Sequence, residues 1–131
     1  MINPYNKYQE SSVQTATPGQ LIVMLYDGAI RFAKQAISEM EKKRYDAANR
    51  SFLKAQSIIH ELIAALDSNI ELSKNLHSIY EYMLHQLIQA NIKKSSQPAL
   101  EVIDYLQELR ETWKQAIKMQ AGNMAVSGEA R

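Results

Sequence analysis

Residues 17–41 read TPGQLIVMLYDGAIRFAKQAISEME and give the clearest helical pattern in the 131-residue chain. Thr17 can cap the first free N–H groups of a helix, and Pro18 suits its first position. Apolar residues then recur at spacings of three and four, which predicts a core stripe along one face of a helix over residues 18–41. That stripe consists of Leu21, Met24, Leu25, Gly28, Phe32 and Ala36.

The same spacing predicts three further helices, over residues 47–66, 73–92 and 98–119. Asp46 can cap the second helix, Asp67-Ser68-Asn69 ends it, and Pro98 begins the fourth. Because the connections are short, we expect sequential helices to be antiparallel.

The predicted fold class is therefore all-α, an antiparallel up-down-up-down four-helix bundle over residues 17–119. A polar N-terminal arm over residues 1–16 precedes the bundle. Residues 120–131, with two glycines and few large apolar side chains, are expected to form a flexible, disordered tail.

Composition excludes several other classes of protein. The chain has 4 Gly and 3 Pro, and no Gly between residues 29 and 121, whereas β-sandwiches need many turns and doubly wound folds need a Gly-rich loop. It has no Cys, hence no disulfide or thiolate chemistry. The N-terminus lacks a signal-peptide pattern, and the longest apolar run, residues 21–26, is too short to span a membrane. We expect a cytosolic protein without membrane insertion.

Charge and motifs do not indicate nucleic-acid binding, a metal site or catalysis. The net charge is +1, and the basic run at residues 42–44 lies at a predicted helix end. His77, Glu81 and His85 share one helix face, but they span ~12 Å and cannot all reach one ion. No nucleophile or phosphate-loop motif is present, so we expect no enzyme and no cofactor. An enzyme or metal bundle using these three residues is the weakest alternative.

Helices 1 and 3 carry more apolar residues than one core stripe needs. The surplus consists of Ile22, Tyr26, Ala29, Ile30, Ala33 and Ile37 on helix 1, and Tyr80, Leu84 and Ile88 on helix 3. Two interpretations remain open: an obligate helical homodimer acting as a structural module, or a groove that accepts amphipathic helices from a partner. Gly28 inside a helix indicates close approach of another backbone.

Short motifs along residues 3–119 resemble the FliS family, the bacterial flagellar secretion chaperones for flagellin. The motifs are Asn3-Pro4-Tyr5, Tyr8, Val13, Thr15-Ala16-Thr17-Pro18-Gly19, Met24-Leu25-Tyr26-Asp27-Gly28, Ser73-Lys74-Asn75-Leu76 and Arg110-x-x-Trp113. No single motif is decisive, but their order and spacing together are specific.

The resemblance implies a four-helix bundle that binds the disordered C-terminal segment of flagellin without hydrolysing ATP. The chaperone would block premature polymerisation and present flagellin to the flagellar type III export apparatus. The surplus residues of helices 1 and 3 would form the client-binding groove. Tyr5, Tyr8 and Val13 would anchor the arm over that groove when it is empty. We expect a monomer or weak homodimer.

Overall fold

The structure, a computed structural model, describes residues 15–129, and the side chains of residues 15–122. It contains four helices: α1 (Pro18–Glu41), α2 (Tyr45–Ala64), α3 (Glu71–Lys93) and α4 (Gln97–Glu129). No β-strand occurs in this part of the chain. The predicted all-α fold class is confirmed. The predicted anchors Tyr5, Tyr8 and Val13 lie outside the described residues.

The N-terminus of α1 forms a reciprocal capping box. The Thr17 hydroxyl accepts a hydrogen bond from the Gln20 backbone N–H at 3.2 Å, and the Gln20 side chain accepts one from the Thr17 backbone N–H at 3.0 Å. Pro18 occupies the first turn, where its missing N–H removes a donor that would have no partner. These local interactions fix where α1 begins.

The ends of α2 and α3 differ from the prediction by up to two residues. Arg44, not Asp46, is the N-cap of α2, and it makes no side-chain capping bond. Asp46 lies inside the first turn, where its negative charge faces the positive end of the helix dipole. Left-handed backbone at Lys43 and Lys94 follows α1 and α3.

Helix α4 extends ten residues beyond its predicted end at residue 119. Residues 120–129, predicted as a disordered tail, are helical in backbone. Gly122 does not adopt the left-handed conformation that commonly ends helices. A glycine in a helix costs about 1 kcal/mol relative to alanine, which weakens a helix without ending it.

Contacts between the helices give their pairing and direction. Asp27 pairs with Arg110 and Gly19 meets Ile117, so α1 and α4 are antiparallel. Ser51 donates a hydrogen bond to Glu39, while Ile58 lies against Gly28, so α1 and α2 are antiparallel as well.

The remaining neighbours are α2 with α3 and α3 with α4. Asn91 near the end of α3 donates a hydrogen bond to Asn49 near the start of α2 at 2.7 Å. Gln86 of α3 donates one to Glu101 at the start of α4. Each helix thus contacts the next, and α4 returns to α1, which agrees with the predicted up-down-up-down order.

The core contradicts the expected orientation of α1. Its buried residues include the line predicted to be exposed, which consists of Tyr26, Ala29, Ile30, Ala33 and Ile37. Of the predicted core stripe, only Gly28 and Ala36 are buried. The predicted core stripe is instead half-buried at Leu21, Met24, Leu25 and Phe32. Because α1 contacts both α2 and α4, the centre of its wide apolar arc is buried and the edges are partly exposed.

Gly28 is a point of close packing, as predicted, but its neighbour is a side chain. A Cβ atom at this position would lie 3.0 Å from Cδ1 of Ile58 on α2. Because Gly28 has no side chain, α1 can lie close to α2 here, and the Ile58 side chain occupies the space. We expected the backbone of another segment at this position, but among the described residues the neighbour found is a side chain.

Candidate binding site

An apolar cleft of about 510 Å³ opens at one end of the bundle. The start of α1, the end of α2, the connection after it, the start of α3 and one residue of α4 form its walls. Its lining is Pro18, Gly19, Leu21, Ile22, Leu25, Leu62, Ala65, Leu66, Asp67, Ile70, Leu72, Ser73, Leu76, Tyr80 and Trp113. Asp67 is the one charged residue in this lining. The cleft is therefore suited to apolar side chains.

The cleft is the place where the bundle core opens toward solvent. Ile22 lies one helical turn before Tyr26, on the same line of α1. Tyr26 is fully buried, whereas Ile22 is only half-buried. The six-residue connection between α2 and α3 separates these helices at this end, so the apolar line of α1 continues into open space.

Two buried tyrosine hydroxyls form a hydrogen bond, and one of the two residues, Tyr80, belongs to the cleft lining. The hydroxyl oxygens of Tyr26 and Tyr80 are 2.5 Å apart, and the two rings are tilted by 51° with centroids 6.5 Å apart. Tyr26 is 0% exposed and Tyr80 is 1% exposed. Tyr80 belongs to the cleft lining, so this buried polar pair borders the apolar space.

Burial keeps both phenols neutral. Desolvation raises the pKa of Tyr26 above its usual value, and interactions with Tyr80 and Trp113 oppose that rise. Desolvation also raises the pKa of Tyr80, and its hydrogen bond to Tyr26 raises it further. The pair thus acts as a hydrogen-bonding group and carries no charge at neutral pH.

An ion pair holds α4 against α1 beside the cleft. Nη1 of Arg110 lies 2.9 Å from Oδ1 of Asp27, and Nε of the same arginine lies 3.5 Å from a carboxylate oxygen of Glu111. Trp113, one turn further along α4, lines the cleft. The ion pair therefore helps to position the Trp113 wall.

Six of the nine predicted groove residues are buried in the core. They are Tyr26, Ala29, Ile30, Ala33, Ile37 and Tyr80, and the expectation that they lie on an exposed stripe is wrong. Centring this line of α1 between α2 and α4 removes it from solvent. Ile22 does lie at an open apolar surface, in the cleft, while Tyr80 reaches that surface only at its edge.

The other two predicted groove residues lie on a different surface. Leu84 is half-buried and Ile88 is exposed, and Ile92 continues their line along α3. The Asn49–Asn91 hydrogen bond fixes the register of α2 against α3. Leu53 is one turn after Asn49 and Ile88 one turn before Asn91, so this register places both on the same solvent-facing side of the two helices. Leu53, Leu84, Ile88 and Ile92 are called the α2–α3 patch below.

The three histidines do not assemble a metal site. His77 lies 3.6 Å from Glu81 across an exposed helical turn, and His85 is exposed one turn further on. Within the described residues no group of three or more His, Cys, Asp or Glu side chains could hold a metal ion. In the same part of the chain, no helix is both long and apolar enough to cross a bilayer.

Several cleft residues were not predicted to contact a partner. Leu62, Leu66, Leu72, Leu76 and Trp113 have core spacing, and nothing in that spacing shows where a core stops. Their location could have identified them as cleft residues, because all of them lie near one end of the antiparallel bundle. The longest connection between helices is at the same end.

Comparison with known proteins identifies the family. The flagellar protein FliS family matches residues 1–120. The flagellar secretion chaperone FliS of Bacillus subtilis is 43% identical over 126 residues, covering 96% of this chain and 95% of that protein. The FliS chaperones of Salmonella typhimurium and Escherichia coli are 38% and 32% identical, with coverage of 81% and 82% of both chains. The family is one of chaperones and not an enzyme class, and this chain belongs to the flagellar protein FliS family.

Proposed function

We propose that this chain binds the C-terminal segment of flagellin in the bacterial cytosol, prevents its premature polymerisation, and delivers it to the flagellar type III secretion apparatus. Membership of the FliS family supports the proposal. The single observation that carries it is the apolar cleft, an open extension of the core with one charged lining residue.

The cleft suits an amphipathic helix contributed by a partner. A helix presents apolar side chains at positions i, i+3 or i+4 and i+7, which such a groove can take up. The client segment is disordered before it binds, so ordering costs several kcal/mol against the gain from burial. Burial of its apolar side chains also removes them from filament assembly.

The α2–α3 patch is the second contact surface in this proposal. Leu76, in the cleft, and Ile88, on the patch, are twelve residues apart on α3, which corresponds to ~18 Å along the helix axis. A client segment of ~40 residues, up to ~60 Å long as a helix, can cover both surfaces. Predicted groove residues Ile22, Leu84 and Ile88 contact the client directly, and Tyr80 contacts it at the cleft edge.

The N-terminal arm acts as a competitor for the cleft. Pro18 and Gly19, at the start of α1, belong to the cleft lining. The sixteen-residue arm can extend ~50 Å, which is ample to return over the opening. Tyr5, Tyr8 and Val13 are the apolar anchors of that segment, and client binding displaces them.

A peptide of the last ~40 residues of the host flagellin tests the proposal, since that length can reach both surfaces. Calorimetry should show binding with a negative heat-capacity change, which is the signature of apolar burial. Leu72→Asp places a charge in the cleft at a side chain that is 60% exposed in the free protein. It should weaken binding at least tenfold with little effect on folding.

Leu100→Asp is the matched control. Leu100 is also exposed and helical, at 42%, but it lies at the start of α4, outside the cleft. It should bind the peptide as the wild type does. Wild-type protein that fails to bind, or equal losses in the two variants, would contradict the proposal.

The α2–α3 patch also keeps the homodimer alternative open, because exposed apolar patches often mark association of identical chains. Light scattering across a concentration series separates the two. A monomer or weak dimer that binds flagellin supports the chaperone. A tight dimer that Ile88→Asp dissociates, without flagellin binding, supports the structural module.

A further inference from the structure

The hydroxyl groups of Tyr26 and Tyr80 hold two protons between them, and their mutual hydrogen bond uses one. The oxygens are 2.5 Å apart, and either hydroxyl can be the donor. Within residues 15–122, the one further side-chain interaction with the pair joins Trp113 to Tyr26. One hydroxyl proton of this pair is therefore left without an acceptor.

Of the polar side chains that line the cleft, Trp113 is a donor, and neither Ser73 nor Asp67 has a hydrogen bond to either phenol. Trp113 lies against Tyr26 and lowers its pKa, as a group donating to the phenol oxygen does, and an indole N–H can only donate. Ser73 is seven residues from Tyr80 on α3, ~10 Å along the helix axis. Asp67 is exposed at the rim of the cleft. An unsatisfied buried donor costs about 1–3 kcal/mol, so an acceptor from outside is favoured.

We propose that the Tyr80 hydroxyl donates a hydrogen bond to a backbone carbonyl or terminal carboxylate at the C-terminal end of a client helix seated in the cleft. Either hydroxyl can donate in the mutual bond, and a client acceptor at Tyr80, the phenol that lines the cleft, favours the arrangement in which Tyr26 donates to Tyr80. This inference rests on the proposed function and specifies which part of the client enters.

A client helix has free backbone acceptors only at its C-terminal end. Carbonyls in the middle of a helix are bonded to N–H groups four residues later, whereas the last four have no intrahelical partner. Inside an apolar cleft such carbonyls would be desolvated, and a phenol donor offsets that cost. Asp67 at the rim is then placed to attract a basic residue in the last turn of the client helix.

Two conservative variants separate this role from a structural one. Tyr26→Phe and Tyr80→Phe each break the mutual hydrogen bond, and Tyr26→Phe also removes the partner of Trp113, so its loss of stability should be at least as large. Tyr26→Phe leaves the Tyr80 donor in place and should bind the C-terminal flagellin peptide within twofold of wild type. Tyr80→Phe should weaken binding about five- to tenfold, as expected for one lost hydrogen bond. Tyr82→Phe, on the same helix but outside the cleft, is the control: it loses the Tyr82–Glu101 hydrogen bond and should leave peptide binding unchanged.

Equal binding losses in Tyr26→Phe and Tyr80→Phe, or no loss in either, would overturn the inference while leaving the chaperone function standing. If the wild type does not bind the flagellin peptide, the proposed function fails and a leucine-rich amphipathic peptide with a free C-terminus becomes the probe. Weaker binding of that peptide by Tyr80→Phe alone supports the donor for a different client. Equal binding by all variants, or binding by none, refutes it.

Discussion

Arg110 and Asp27 form the ion pair that joins the last helix to the first across 83 positions of sequence. The Nη1–Oδ1 distance is 2.9 Å, and the arginine is the more buried partner. Both residues stand in motifs that resemble the FliS family, and the structure gives them a shared role. They fix α4 beside α1, one turn from the Trp113 wall of the cleft.

Asp27→Ala and Arg110→Ala should each destabilise the protein by about 1 kcal/mol, because the pair is charge-assisted but partly open to solvent. The double variant should cost little more than either single variant. Urea unfolding of the four proteins gives the coupling energy, which should fall in 1 M salt as screening increases. Strictly additive single-variant effects would show that the two residues act independently.

Ile30→Asp should prevent folding. Ile30 is 5% exposed and lies at the centre of the α1 line between α2 and α4. A carboxylate at this position would be buried without a partner, which costs several kcal/mol, a large part of the stability of a domain this size. Circular dichroism should show a loss of cooperative melting. A variant with native melting but no flagellin binding would instead show that Ile30 contacts the client.

The contrast between Ile30 and Ile22 shows how far periodicity can predict this protein. Thr17, Pro18 and the three–four spacing predict the fold class and the start of α1, because capping and helical amphipathicity are local properties. The apolar arc of α1 exceeds half its circumference, so no local rule shows which part faces the core. That choice depends on α2 and α4 packing against it together.

The cleft and the end of α4 depend on features that no single segment contains. Leu62 and Leu72 have the same spacing as core residues, and they line the cleft because the bundle opens where they lie. Residues 120–131 were predicted to be a tail partly because they contain two glycines, yet the backbone at Gly122 remains helical. Glycine ends a helix through a left-handed turn, which composition alone does not reveal.

Gly28→Ala should stabilise α1 as a helix and crowd its contact with Ile58 on α2. Alanine is favoured over glycine in a helix by about 1 kcal/mol, but the new Cβ would lie 3.0 Å from Cδ1 of Ile58. Because Cδ1 is the end of a flexible, half-buried side chain, the net change should be smaller than that gain. In an Ile58→Val background, which removes Cδ1, the substitution should be stabilising by nearly the full amount. Thermal unfolding of the four proteins measures this, and an equal effect in both backgrounds would exclude the contact as the cause.

Stability should fall as the pH rises above about 10, the unfolded pKa of tyrosine. Burial raises the folded pKa of both Tyr26 and Tyr80, so these phenols stay neutral in the folded chain while they ionise in the unfolded one. Their stabilising effect is complete below pH 10 and is lost as the pH climbs toward the raised values. With two protons released on unfolding, the slope contributed by the pair approaches about −2.7 kcal/mol per pH unit.

The double variant Tyr26→Phe/Tyr80→Phe isolates that contribution. Removing both hydroxyls leaves neither partner of their mutual bond unpaired, so stability at pH 7 should change less than in either single variant. Between pH 10 and 11 the variant should lose much less stability than the wild type, since the other five tyrosines are common to both proteins. Urea unfolding at several pH values measures the two slopes. Parallel slopes would mean that these phenols titrate normally in the folded state, and hence that the pair is more hydrated than its burial indicates.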